Sequence, residues 1–207
     1  MNDFRYTLVC DGPSDQRLIP IINWTIRQHS NAAFSPTWAD FSVAKPKPVG
    51  LRRRIAAAAD LFPCDLLIVH RDGESATLSE RKQEILTSAQ GQPLPTNIPV
   101  VPIRMQETWL LFDLPAIRLA AGRPNGTGPL MLPALKTIEG LPDAKGVLNR
   151  LIRAASEARG RRLRRMDTNK AIYRLSELIR DFAPLRALVA FSDFETNLSK
   201  ALKRIGA

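Results

Sequence analysis

The sequence has no apolar run near the roughly 18 residues that a membrane-spanning helix needs, only two cysteines, and no Gly-x-x-x-x-Gly-Lys phosphate loop. The first absence excludes a helical membrane span. The opening Met-Asn-Asp-Phe-Arg also lacks a signal peptide's apolar segment, so a cytoplasmic location is expected. Cys10 and Cys64 are more than fifty residues apart and match no zinc-knuckle spacing, which leaves two reduced, mostly buried thiols as the expectation. Without a phosphate loop, any use of ATP would fall to a partner protein. No internal repeat is present.

Acidic residues are in short supply. Twenty Asp and Glu stand against thirty Lys and Arg, a formal charge of +10 that favours polyanionic partners such as nucleic acid. The excess is uneven: residues 158–165 read Ala-Arg-Gly-Arg-Arg-Leu-Arg-Arg, with five arginines in eight residues.

Residues 66–74 (Leu-Leu-Ile-Val-His-Arg-Asp-Gly-Glu) are the most informative stretch. Four apolar residues end abruptly in His70, Arg71, Asp72 and Glu74, the pattern of a buried strand delivering polar groups to a site at its carboxyl end. Around it the chain alternates. A β-rich segment at 5–10 stops at Asp11-Gly12-Pro13, and helical spacing follows from Ser14 to about His29, with Pro20 as a blemish. A second strand is predicted at 36–43, a helix at 51–62 and another at about 78–89. A short strand at 100–103 then leads to a helix starting at Gln106. This is the β-α-β-α-β-α-β-α order of an α/β domain, a four-stranded parallel sheet with helices on both faces. Residues 122–133 hold three Gly and three Pro in twelve positions and read as a linker or long loop. Beyond them only helical spacing is found, at 144–158, 169–182, 184–189 and 194–205. The expected organisation is an α/β domain over 1–121 and a helical C-terminal subdomain or extension over 134–207.

Carboxylates fall at three element ends: Asp11 and Asp15 after the first strand, Asp72 and Glu74 after the third, and Glu107 after the fourth. A right-handed winding that sets the first and third strands side by side brings their ends to one crevice. Carboxylates held together repel unless something positive lies between them, and Mg²⁺ or Mn²⁺ is the usual solution. Such an ion binds phosphate oxygen and activates water, which suits a basic protein.

Val-Cys-Asp11-Gly12-Pro-Ser-Asp15 and His70-Arg-Asp72-Gly together resemble the TOPRIM fold of topoisomerases, primases and small nucleases, over roughly residues 4–115. That family carries Glu-Gly after its first strand and Asp-x-Asp after its third, jointly binding Mg²⁺. Here Asp11 stands in place of the glutamate and His70 in place of the first aspartate, and histidine shifts preference toward Mn²⁺. The run Gln106-Glu107-Thr-Trp109-Leu-Leu-Phe-Asp113 resembles an uncharacterised bacterial TOPRIM-like family often found beside ATPases in phage-defence loci. The resemblance implies a metal-dependent nuclease. Asp11, Asp72 and Glu74 would hold metal, and Glu107 would serve as a further ligand or base. His70 would be a ligand or proton donor, Arg71 a phosphate clamp, and Arg161, Arg162, Arg164 and Arg165 nucleic-acid contacts. It equally allows a module that has lost catalysis and serves as a regulatory or nucleic-acid-binding partner of an ATPase.

Plainer roles stand beside these. Asp11-Gly12-Pro13 is ordinary turn chemistry, Asp15 a first-turn acid favoured by the helix dipole, and His70 a satisfied strand-end histidine. Trp109, Leu110 and Phe112 face a core, and Asp113 caps a helix or faces solvent. Residues 159–165 form a solvated helix connection, and Arg52 to Arg54 form a polar helix opening.

Overall fold

The computed structural model describes residues 3–42 and 44–207. Four strands, β1 (Phe4–Val9), β2 (Phe34–Trp38), β3 (Leu66–His70) and β4 (Thr96–Val100), form one all-parallel sheet in the order β2-β1-β3-β4. Parallel neighbours need crossovers, and helices supply them. α1 (Leu18–His29) joins β1 to β2, α2 (Leu51–Leu61) joins β2 to β3, and α3 (Leu78–Ala89) joins β3 to β4. All five residues of β3 are buried because both faces of the sheet are covered, which explains its continuous apolar run.

The element boundaries show local chemistry at work. The first helix was expected from Ser14. A 3₁₀ turn at Pro13–Arg17 comes first and α1 starts at Leu18, so Pro20 sits in the first turn, where its missing N–H costs no intrahelical bond. Leu18, Ile21, Ile22, Thr25 and Ile26 then make the buried stripe. The second strand was expected at 36–43. It pairs at 34–38, with Phe4 opposite Phe34 and Leu8 opposite Trp38, and Val43 lies outside the described residues. The fourth strand, expected at 100–103, occupies 96–100. Its Pro99 is tolerated because β4 is an edge strand. The helix expected at Gln106 is a buried 3₁₀ turn, Gln106–Leu110, followed by α4 (Leu114–Ala120), which the Asp113 side chain caps at Ala116 N. α5 (Ala144–Ala155) and α7 (Thr168–Leu178) are capped in the same way by Asp143 and Asp167, and the short α6 (Gly160–Arg164) lies between them. α8 (Val189–Ile205) ends at Gly206 in the left-handed region, the C-terminal position that favours glycine.

Two apolar layers flank the sheet. On one face Ile55, Ala58 and Ile85 of α2 and α3 meet Val9, Leu67 and Val69. On the other, Tyr6, Leu8, Leu66, Ile68, Ile98 and Val100 form one continuous core with α1 and the C-terminal helices. Residues 122–133 contain no helix or strand, but the helices beyond them share the sheet's core. Trp109 marks the junction: its ring meets Phe191 of α8 edge-on at 5.4 Å and Phe194 at 6.1 Å. Among the described residues no helix is long and apolar enough to cross a membrane.

This shared core carries a testable consequence. Trp109→Ala should lower global stability by about 3–5 kcal/mol, in a single denaturant transition seen alike by far-ultraviolet circular dichroism and by the remaining tryptophans. Two separate transitions would contradict the single core.

Candidate functional site

The paired run of β1 and β3 ends with Val9 opposite Val69. The chain leaves β1 toward β2 on one side and β3 toward β4 on the other, so the two carboxyl ends frame a topological switch point, the usual crevice of an open α/β sheet. The polar groups of residues 11–15 and 70–74 meet there.

His70, 2% exposed, is the anchor. Its Nδ1 lies 3.1 Å from the carbonyl oxygen of Val100 on β4; a carbonyl only accepts, so Nδ1 carries the proton. In the neutral ring Nε2 is therefore a lone pair, 3.5 Å from Asp72 Oδ1 and 4.0 Å from Asp15 Oδ2. Asp15 is held by three donors: the Gly12 N–H at 3.2 Å, the Ser14 hydroxyl at 3.0 Å and Gln106 Nε2 at 2.7 Å. Gln106 also donates its backbone N–H to Asp72 Oδ1 at 2.8 Å, so one residue of the turn after β4 clamps both aspartates. Its amide oxygen is buried without a hydrogen-bond partner. Glu107 is buried next in sequence and accepts from Arg17 Nη1 at 3.1 Å.

Burial pushes the Asp72 carboxyl up to about 6, with His70 opposing and the negative charges of Asp15 and Glu107 reinforcing the rise. Three carboxylates thus border one crevice with a single buried arginine, and His70 stands between Asp15 and Asp72.

An outer ring is arranged differently. Asp11, its side chain 53% exposed, accepts from Arg54 Nη1 at 2.6 Å and pairs with Arg71 Nη1 at 3.3 Å. Arg71 continues to Glu84 at 3.6 Å, Glu84 to Arg81 at 2.7 Å, and Arg81 to Glu74 at 2.7 Å. Three arginines and three acids thus alternate along the rim. Arg54, read as part of a polar helix opening, is the ion-pair partner of Asp11. Glu74 has a left-handed backbone, φ 51, fixed by its N–H donating to the Arg104 carbonyl at 2.8 Å. Gly73 before it packs so closely on Pro102 and Arg104 that a Cβ would lie 2.9 Å from Arg104 N, which requires glycine there.

The structure therefore brings His70, Asp72, Asp15 and Glu107 into one cluster and directs Asp11 and Glu74 toward arginines. Two adjoining openings of about 330 and 350 Å³ share Ser14, Asp15, Asp72 and Glu74, and exposed Arg104 and Lys145 flank the second. Arg161, Arg162, Arg164 and Arg165 lie on and just after α6, exposed, and make no ion pair among the described residues. α5 begins beside the crevice, where Lys145 lines the second opening, and the chain continues from it into α6, whose Leu163 carbonyl accepts from Arg153 of α5 at 3.2 Å.

Among the described residues no group of three or more His, Cys, Asp or Glu side chains is close enough together to hold a metal ion as it stands. Ligands sharing one Mg²⁺ or Mn²⁺ lie about 3 Å apart, so the 3.5 and 4.0 Å separations at His70 are slightly open for it. The donor types fit such an ion: two carboxylates, an imidazole of fixed tautomer and an orphaned amide oxygen close by. Asp15, Gln106 and Arg17 are the residues that sequence reasoning undervalued. The signal available was spacing, since Asp15 follows Asp11 by one short turn and Gln106 directly precedes the acidic Glu107. Comparison with protein-family models, curated proteins and solved structures finds no match.

The raised Asp72 proton affinity has a definite sign. An unfolded aspartate titrates near about 3.9, so ionising Asp72 costs folding free energy that is absent below about pH 4 and complete above about pH 6. Asp72→Asn should therefore stabilise the protein by about 1–2 kcal/mol at pH 8, after discounting for partial exposure, and by nothing below about pH 4. Urea denaturation across that range checks it; a gain that is independent of pH would contradict it.

Proposed function

We propose that this protein is a metal-dependent nuclease, a phosphodiester-cleaving enzyme built on a TOPRIM-like sheet. The observation that carries the reading is the meeting of Asp15, His70 Nε2 and Asp72 at the switch point, inside a protein of net charge +10. Asp15 and Asp72 would hold Mg²⁺ or Mn²⁺ with His70, replacing Asp11 and Glu74 in the set that the resemblance implies. When bound, such an ion polarises a phosphate oxygen and lowers the pKa of water.

The chain's own groups divide the remaining work. Gln106 keeps both aspartates in register through its side-chain and backbone N–H groups. Glu107, fixed by Arg17, places a further carboxylate on the crevice wall, where it serves as a base. His70 Nε2, the lone pair of the neutral ring, would hold the ion, with Nδ1–H fixed on the Val100 carbonyl. Arg71 swings from Asp11 to a phosphate, exchanging one oxyanion for another, and the exposed arginines of α6 hold the strand through its phosphates without reading sequence. The basic surface supports nucleic acid as the substrate. A cytoplasmic setting, a role in defence against phage and an ATPase partner are proposed on the resemblance.

One observation favours a second reading. Arginines already engage Asp11 and Glu74, as expected of a TOPRIM-like module that keeps its shape and binds nucleic acid or an ATPase without cleaving. Incubation with plasmid and single-stranded DNA in Mg²⁺ or Mn²⁺ separates the two. The enzyme reading predicts metal-dependent nicking reduced about 100-fold or more in Asp15→Ala and Asp72→Ala. Salt-sensitive binding without cleavage would establish the second reading.

A further inference from the structure

Behind Asp11 lies a second cavity that the acidic crevice does not use. It has a volume of about 460 Å³ and opens between the carboxyl ends of β1 and β2. Its walls are mainly apolar and aromatic, with Trp38 and Phe41 both half-buried, and its polar side carries Arg54 and Lys47 together with Asp11 and Asp40. Asp11 and Gly12 line both this cavity and the crevice, so the Asp11–Arg54 ion pair is the wall between them.

The aromatic side chains are fixed for use by their faces. Trp38 Nε1 donates to Cys10 Sγ at 3.1 Å, so its one hydrogen-bonding group is already satisfied within the protein. Phe41 is braced edge-on by Phe62 at 5.9 Å. What remains is flat apolar surface beside Lys47, which makes no ion pair among the described residues, and Arg54, which would exchange Asp11 for a phosphate, chemistry that suits a planar ring carrying an adjacent phosphate. The volume of about 460 Å³ leaves room for a nucleobase.

We propose that this cavity takes an unpaired nucleobase of the bound strand, stacked on Trp38, while the neighbouring phosphate passes Arg54 into the crevice. This rests on the nucleic-acid reading above and deepens it, because a base can enter only if it is not paired. The protein would accordingly favour single-stranded nucleic acid, or a strand end, over an intact duplex.

Fluorescence anisotropy in EDTA, where no cleavage occurs, tests the assignment with the full chain and labelled single-stranded DNA pentamers. A base-bearing pentamer should bind roughly ten-fold more tightly than a fully abasic one, with Trp38→Phe keeping most of that preference and Trp38→Ala losing it. Equal binding of the two pentamers by the wild-type protein overturns the base pocket while leaving phosphate binding in place. A preference that survives Trp38→Ala overturns the location. A free nucleoside monophosphate that binds as tightly as the strand reassigns the cavity to a small ligand and overturns the strand assignment. Failure to bind either pentamer removes the nucleic-acid reading itself.

Discussion

The parallel pairing of β1 with β3, Val9 opposite Val69, is the constraint on which everything else depends. It sets the ends of two strands, sixty residues apart in sequence, at the same level of the sheet. From that level the two chains turn in opposite directions, so the residues after Val9 and Val69 meet without any further device. β4 adds the Val100 carbonyl that fixes the His70 ring, and the turn after it adds Gln106. The C-terminal helices contribute from beneath, by packing Phe191 and Phe194 against Trp109 two residues beyond Glu107. Core and site are thus connected through one short turn.

Around this frame the charges are sorted by depth. The inner acids, Asp15 and Glu107, are buried and held by hydrogen bonds and by Arg17, with Asp72 partly open between them. The outer acids, Asp11 and Glu74, are exposed and neutralised by arginines. Exposed ion pairs contribute little to stability and exchange partners readily. Buried carboxylates with unmatched charge are costly to keep and are retained where a cation or a proton is to be handled. The inner set is the one we propose to hold the cation, and the outer set the one we propose to meet phosphate. The proposed base cavity sits behind that outer set, on the far side of Asp11.

Much of the fold was legible because its signals are local. The β3 run and the helical spacing of α3, α5 and α7 state their structures directly. β4 was misplaced because Thr96 and Asn97 are polar and Pro99 mimics a break, features that only an edge position excuses. Gln106–Leu110 looked like a helix start because five consecutive residues are buried, a demand of the core that overrides periodicity. The site was half legible. His70 and Asp72 announce themselves at a strand end, and Glu107 at a turn. Asp11 and Asp15 both border the crevice, but the capture of Asp11 by Arg54 and Arg71 and the Arg17–Glu107 pair across 90 residues leave no local trace.

We propose that Asp15, His70 and Asp72 together hold a divalent cation. Electron paramagnetic resonance of Mn²⁺ titrated into the protein measures this directly. One tight site that is lost in both Asp15→Ala and Asp72→Ala, and kept in Asp11→Ala, is the predicted result. Mn²⁺ binding that is absent, or unaffected by either inner aspartate, would contradict it.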